Sequence, residues 1–442
     1  MNKKIFLVFF FAFLIRLIAI NQSLWLDEAV TAKVVMTYGF TDIINKFSPT
    51  DFHPPLYYLF MKLWTNFFGY SEIALRMPSV LFSLGTGYFV YLIGGVWSAA
   101  FFLFNPLIIY YSQEARMYMM ATFFLTGALY YFLKNIKLVP PKAGDILFNL
   151  FIFLSLLTFY GSAFLITAFL VYFLYKKQYK NLFICLLVVF VYFLTISPLL
   201  YQQLLNSKIA LSNVTNWSLV LGKVNIKNLL LIPIKFSIGR ISFYPKWLYW
   251  AVAGGWTTFI FFRIKTVLNK TVFIKTVFYL LIFPLILGFL VSFFIPMLQY
   301  FRFIYLIPMM SILLSRSYRY KIVILIGFLF FSLTYLLLPQ FHREDWKSLV
   351  KNLPKNLPVY MITASSDPVK YYDQSSKVLR LESLTLLRQG YAGQGGIIVI
   401  PYTSEIYGLD YKKSLVEKGY RLKKEVSFRE VTYERWEASY TP

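Results

Sequence analysis

The stretch ILFNLFIFLSLLTFYGSAFLITAFLVYFLY, Ile146 to Tyr175, decides how the rest of the chain is read. It is an apolar run of 30 residues, whereas a helix needs about 20 to cross a bilayer. Read as one tilted helix, it sends Lys176, Lys177 and Lys180 outside, and the later basic clusters then break the positive-inside rule. Read as two short helices turning at Tyr160-Gly161-Ser162, it brings those lysines back inside, and the later clusters agree. Charge parity favours two helices.

Working outward, Lys3 and Lys4 place the N-terminus inside, ahead of a retained first span, Ile5 to Ile20. Residues 21–73 then lie outside. Later spans run from about Ala74 to Ile93, Val96 to Tyr111 and Met117 to Leu133, the last ending at Lys134, Lys137 and Lys142. After the 146–175 pair come Leu182 to Tyr201, Lys246 to Phe262, Thr276 to Ile295, Phe303 to Leu314 and Ile322 to Leu338. Residues 228–243, interrupted by Pro233, Lys235 and Arg240, read as a partial or interfacial segment. The expectation is a polytopic α-helical membrane protein with about eleven spans. Val30, Val34 and Tyr38 recur every four residues and predict a short amphipathic helix along the outer interface.

Composition supports this class. Of 442 residues, 58% are hydrophobic, and the mean hydropathy is +0.61. The net charge of +25 clusters at span ends, so it belongs to membrane topology and lipid, not to nucleic acid. A single cysteine, Cys185, excludes an intrachain disulfide. The two histidines, His53 and His342, are far apart, and no glycine-rich nucleotide loop is present. Two acceptor-type triplets, Asn213-Val-Thr215 and Asn216-Trp-Ser218, are unremarkable in a chain of this length.

Composition changes after Pro339. The transmembrane domain spans 1–338, and 339–442 forms a small C-terminal α/β extracytoplasmic domain. Its candidate strands are Val359 to Thr363, Val378 to Leu381, Ile397 to Pro401 and Glu425 to Tyr433. Its candidate helices are Asp345 to Leu353 and Leu409 to Lys418.

With this topology many polar residues return to the outer face. Ser23-Leu-Trp-Leu-Asp27-Glu28-Ala29 follows the first span. Adjacent acids there are costly to desolvate; they serve either as helix caps or as chemistry. Asp27 is the candidate catalytic base, with Glu28 and Glu114 as catalytic or positioning alternatives. His53, Arg76, Gln113, Arg116, Tyr118 and Arg302 are candidates for binding the donor phosphate or substrate, since guanidinium grips phosphate oxygens in pairs. Interfacial anchoring is the competing role for Arg76 and Arg116, and a polar tip the competing role for His53.

These residues carry a resemblance. Leu26-Asp27-Glu28-Ala29, His53-Pro54-Pro55-Leu56-Tyr57-Tyr58, Ala74-Leu75-Arg76-Met77-Pro78-Ser79 and Tyr111-Ser112-Gln113-Glu114-Ala115-Arg116-Met117-Tyr118 occur in the order of the GT-C membrane glycosyltransferases. They resemble the bacterial branch related to protein O-mannosyltransferases and to the lipid A aminoarabinose transferase. Arg343-Glu344-Asp345-Trp346 is similar to the start of that branch's extracytoplasmic domain.

The resemblance implies an inverting transferase that uses a polyprenyl-phosphate-linked sugar donor at the outer membrane face. Asp27 then matches the catalytic acid, and His53 stands where some relatives carry a lysine facing the phosphate. The acceptor is a lipid, glycan or protein hydroxyl, membrane lipids are partners, and no cofactor is called for. A transporter or flippase of lipid-linked glycans, or a non-catalytic assembly scaffold, are the competing classes.

Overall fold

The structure is a computed structural model that describes residues 3–137, 144–214, 216, 224–386 and 396–438. Lys142, Thr215 and Ser218 lie outside the described residues. The chain divides into two compact units. The first comprises Met1–Ile20, Gly39–Leu204 and Leu221–Phe341; the second comprises Asn21–Tyr38, Leu205–Val220 and His342–Pro442. The composition change near Pro339 thus falls close to a unit boundary, but two distant segments join the C-terminal part.

The first unit is helical. Among the described residues, three helices are long and apolar enough to cross a membrane: Glu72–Gly94, Tyr179–Ala210 and Val272–Val291. Shorter apolar helices cover Ile146–Thr158, Tyr160–Tyr175, Tyr300–Ser315 and Lys321–Leu337. The 146–175 run is two helices, broken at Phe159 with a tight turn through Tyr160–Ser162. The long helix continues to Asn213 and exposes Phe183, Phe190 and Leu194 among many apolar side chains. Such a surface suits lipid, whose tails are as apolar as leucine.

The third expected span is not one helix. It breaks into Val96–Leu103 and Pro106–Ser112 at Phe104-Asn105. Pro106 lacks an N–H and cannot continue a helix, but it starts one well. Asn105 caps the new helix, its Oδ1 accepting from Leu107 N at 3.0 Å and Ile108 N at 3.2 Å. The break exposes backbone carbonyls that an apolar phase cannot satisfy. Arg16, fully buried in the first helix, Lys3–Leu17, donates to Leu103 O at 2.9 Å and to Ser83 Oγ at 2.9 Å. Ser332 donates to Phe104 O at 3.0 Å. Asn105 Nδ2 donates to Phe236 O at 2.8 Å.

That last bond seats the helix Ile226–Ile238. It covers most of the 228–243 stretch, and Pro233 lies within it without ending it. Gly239 closes it at φ +71, and a Cβ there would stand 3.0 Å from Pro106 Cβ and 3.1 Å from the Pro106 carbonyl carbon. Glycine is therefore needed for both the left-handed backbone and the close approach.

The second unit is built on a five-stranded sheet in the order β2-β1-β3-β5-β4: Val378–Arg380, Val359–Met361, Ile397–Ile400, Val431–Ala438 and Tyr420–Phe428. β1 pairs in parallel with β2 and β3, and β5 runs antiparallel to β3 and β4. Side chains alternate between two cores: Tyr360, Val399 and Trp436 face one, and Val359, Met361, Ile398 and Tyr433 the other.

The stretch 425–433 was expected to be one strand. It is the turn of a hairpin, with Glu430 at φ +59. No glycine or proline marks that turn, so composition hides it. A helix forms over Leu26–Thr37, but instead of an amphipathic helix along an interface it is an element of this unit, packed on Asp367–Tyr372 with Lys33 Nζ 2.8 Å from Asp367 Oδ1. A helix over 367–372 was not anticipated.

The break at Asn105 gives a stability test. Asn105→Ala removes two cap bonds and the tie to Phe236, and should cost about 2 to 4 kcal/mol. Thermal unfolding in detergent should show a clear drop, whereas Ser197→Ala on the exposed helix surface should be near neutral. Equal midpoints for the two variants would contradict this account of the break.

Candidate functional site

The site is built from the residues of each unit in turn. In the second unit, Asp27 and Glu28 fall in the first turn of the helix Leu26–Thr37. Glu28 is 1% exposed and its Oε2 accepts from Trp25 N at 3.4 Å, so this acid closes the helix start. Asp27 is half-buried, and its carbonyl accepts from Thr31 Oγ1 at 3.2 Å. Leu24 N donates to Tyr372 Oη at 2.8 Å and Lys347 N donates to Ser23 Oγ at 3.2 Å. The acidic stretch is thereby pinned to the sheet domain just before the acids.

Tyr402, which the sequence alone does not single out, feels the charge of Asp27. Tyr402 donates to Glu344 Oε1 at 2.9 Å, and its ring meets Trp346 edge-on at 4.9 Å. Burial pushes the Tyr402 phenol far up, and the charge and hydrogen bond of Glu344 and the charge of Asp27 add to this, while Arg343 opposes it. The Arg343 guanidinium stacks over Trp25 at 3.7 Å. Asp345 caps the helix Trp346–Lys351 through Ser348 N at 3.1 Å. Arg343-Glu344-Asp345-Trp346 therefore divides into a cation on an aromatic ring, a buried carboxylate, a helix cap and a core side chain. The sequence signal was the motif itself; its partner Tyr402 lies far along the chain.

In the first unit the outer-face candidates take different places. Arg76 is 1% exposed and Nη1 donates to Ile20 O at 2.8 Å. Gln113 Nε2 donates to Arg16 O at 2.9 Å and to Ile18 O. Both side chains satisfy carbonyls at the end of the first helix. Ser79 Oγ donates to Glu114 O at 2.6 Å, and Glu114 acts electrostatically on Tyr111.

Arg116 Nη1 donates to Tyr58 Oη at 3.4 Å and its charge acts on Asp51, which lies 3.3 Å from His53 Nδ1. These bring His53 and Arg116 together around Asp51, a carboxylate that lies just ahead of the His53 motif in the sequence. Tyr118 packs on Tyr111 and Phe301, with ring centres 5.3 and 5.7 Å apart, and it acts on the charge of Arg302. Arg240, seen from the sequence only as an interruption, sits 4.9 Å over the Tyr110 ring and donates to its hydroxyl. Its signal in the sequence was a cation that the expected topology puts on the outer side, against the charge rule. Among the described residues, no three His, Cys, Asp or Glu side chains gather as a metal site would need.

The chain shares its fold with two solved proteins, ArnT and AglB. Among solved structures, the chain is similar to ArnT from Cupriavidus metallidurans in the apo state, with 12% identity, 97% of each chain covered and a TM-score of 0.56. The same protein bound to undecaprenyl phosphate matches with 12% identity over 98% of this chain and 96% of that one, at a TM-score of 0.56. The archaeal oligosaccharyltransferase AglB from Archaeoglobus fulgidus, in complex with an inhibitory peptide and a dolichol-phosphate, matches with 12% identity over 91% of this chain and 70% of that one, at 0.52. No family model matches the sequence. No curated protein sequence matches it either.

Asp51 supplies a pH test. Burial raises its carboxyl, but the charge and hydrogen bond of His53 and the charge of Arg116 outweigh it and hold the group below its ordinary 3.8. A depressed carboxyl stabilises the fold above its unfolded value, and that contribution is lost as pH falls through the folded value. The thermal midpoint gap between wild type and Asp51→Asn should therefore be present near pH 5 and close as the pH falls below about 4. A gap that widens on acidification would reverse the sign and discard this assignment.

Proposed function

We propose that the chain is an inverting glycosyltransferase that moves a sugar from a polyprenyl-phosphate-linked donor to an acceptor hydroxyl at the outer membrane face. The observation that carries the reading is the division of labour between the adjacent acids. Glu28 is buried and takes the capping bond. Asp27 is half-buried, and its charge acts on Tyr402, which Glu344 and Arg343 also influence. The fold shared with ArnT and AglB, solved with undecaprenyl phosphate and dolichol-phosphate respectively, supports a lipid-phosphate donor.

The chemistry is simple. A hydroxyl attacks the anomeric carbon as the lipid phosphate departs with the bonding electrons. Asp27 accepts the hydroxyl proton. Cations stabilise the departing phosphate, so it leaves without a general acid. Arg116, Arg302 and His53 are the proposed phosphate ligands, and Arg240 joins them as a cation stacked on tyrosine. Arg76 and Gln113 support the reading less directly, through the carbonyls they hold. The acceptor is a lipid, glycan or protein hydroxyl, and no cofactor is required by these steps. About eleven crossings place 339–442 outside.

Two experiments test this reading. Sugar transfer from a radiolabelled polyprenyl-phosphate donor should fall by about two to four orders of magnitude in Asp27→Asn, the usual worth of a general base. Glu28→Gln, which keeps the capping acceptor, should lose far less. Near-normal turnover by folded Asp27→Asn protein would remove Asp27 as the base and direct the search to Glu114. For topology, Lys424→Cys lies on an exposed strand and Lys177→Cys on an exposed turn. An impermeant thiol reagent on intact cells or spheroplasts should label the first and spare the second. The opposite pattern would invert the assignment of the outer face.

A further inference from the structure

The loop that precedes the helix Leu56–Phe68 holds a pair of side chains more tightly than a connecting loop requires. Asp51 Oδ2 and His53 Nδ1 lie 3.3 Å apart, with the two side chains 14% and 22% exposed. The backbone around them is clamped from another helix. Gln203, 4% exposed, donates through Nε2 to Ser48 O at 2.8 Å and to His53 O at 3.1 Å. The Tyr160 hydroxyl in turn donates to Gln203 Oε1 at 2.6 Å. One amide thus fixes the loop on both sides of Asp51, and its carbonyl is itself held.

The charges settle the direction of the pair. His53 and Arg116 together hold the Asp51 carboxyl below its ordinary value despite burial. An ionised carboxylate can only accept, so the shared hydrogen sits on His53 Nδ1. That fixes the ring plane and leaves Nε2 as its remaining polar atom. Second partners of this kind commonly fix the orientation of a ligating imidazole.

We propose that Asp51 is a positioning residue for His53, holding the imidazole through Nδ1–H so that Nε2 is presented to an anionic phosphoryl oxygen. The proposal rests on the donor reading above, and it makes the lipid-linked phosphate the ligand of Nε2. With a phosphate in place both ring nitrogens donate, one to Asp51 and one to the phosphate. Gln203 and Tyr160 hold the loop in which this happens. A lysine at 53 would need no such help, because an ammonium offers donors in every rotation.

The test uses the full chain in detergent with undecaprenyl phosphate as probe and inorganic phosphate as a parallel arm. Wild type, Asp51→Asn, His53→Lys and the double variant are compared by binding. Asp51→Asn should weaken undecaprenyl phosphate binding about ten-fold when His53 is present. It should change binding little in the His53→Lys background. An equal loss in both backgrounds would make Asp51 merely structural and overturn the proposal, as would no loss in either.

A spectroscopic arm reads the ring directly. The chain has two histidines, so the 15N-histidine signal that disappears in His53→Lys belongs to His53. It should show a protonated Nδ1 in wild type, a mixture of tautomers in Asp51→Asn, and a shifted Nε2 on adding undecaprenyl phosphate. An unprotonated Nδ1 in wild type overturns the proposal. Equal binding of inorganic phosphate would assign Nε2 to a free anion instead of a lipid headgroup. Wild type that binds no lipid phosphate fails both this proposal and the donor reading. Binding without coupling between Asp51 and His53 fails this proposal alone.

Discussion

The helical unit depends on the need to satisfy backbone carbonyls where the chain breaks inside an apolar phase. At Phe104-Asn105, both buried, an apolar stretch stops and restarts, and apolar surroundings offer the exposed backbone groups no partners. Each orphaned carbonyl in such surroundings costs several kcal/mol. Arg16 and Ser332 take Leu103 O and Phe104 O, and Asn105 caps the restart and reaches Phe236 O. Three elements remote in sequence are tied to one break as a result: Lys3–Leu17, Ile226–Ile238 and Lys321–Leu337. The chain past the first helix is then fixed in the same way, with Arg76 and Gln113 on the carbonyls of residues 16–20. Side chains that resemble substrate ligands in the sequence thus bear on the scaffold as well.

The second unit solves a different problem, the placing of an acid without letting the helix consume it. Adjacent acids at a helix start compete for the same orphan N–H groups. Glu28, three residues past Trp25, has the reach to return to the Trp25 N–H. Asp27, one residue earlier, instead acts by its charge on Tyr402, the partner of the Glu344 carboxylate. The pair therefore needs both members: the cap holds the helix and the helix holds Asp27. Lys33–Asp367 ties the same helix to the helix Asp367–Tyr372.

Much of this was legible in the sequence because it is local. The two-helix reading of 146–175 rested on length and charge parity, and the break stands at Tyr160–Ser162. Three of the four candidate strands coincide with β1, β2 and β3, since short β-branched runs bounded by turn residues mark themselves. What could not be read was pairing at a distance. Arg16 stands in an apolar span and is a warning by itself, but its acceptors at Ser83 and Leu103 lie 67 and 87 residues away. The β4–β5 hairpin turns on Arg429-Glu430, residues with no turn signature. Residues 21–38 and 205–220 join the C-terminal unit, an association that no composition window can register.

The cations of the first unit show how the scaffold narrows the chemistry. Counting outer-face arginines in sequence makes Arg76, Arg116 and Arg302 equivalent, because span ends attract all of them. Their surroundings separate them. Arg76 reaches Ile20 O at a helix end, where a cation also meets the negative end of the helix dipole. Arg116 instead acts on Asp51, and Arg302 and Arg240 lie against Phe301 and Tyr110. An aromatic face supports a guanidinium while leaving its in-plane N–H donors available, the edge that a phosphate uses. Aromatic support is thus compatible with anion binding in a way that carbonyl capping is not. Arg240, an interruption in an apolar run of the sequence, accordingly lies 4.9 Å over the Tyr110 ring and donates to its hydroxyl, whereas Arg76 is spent on a backbone carbonyl.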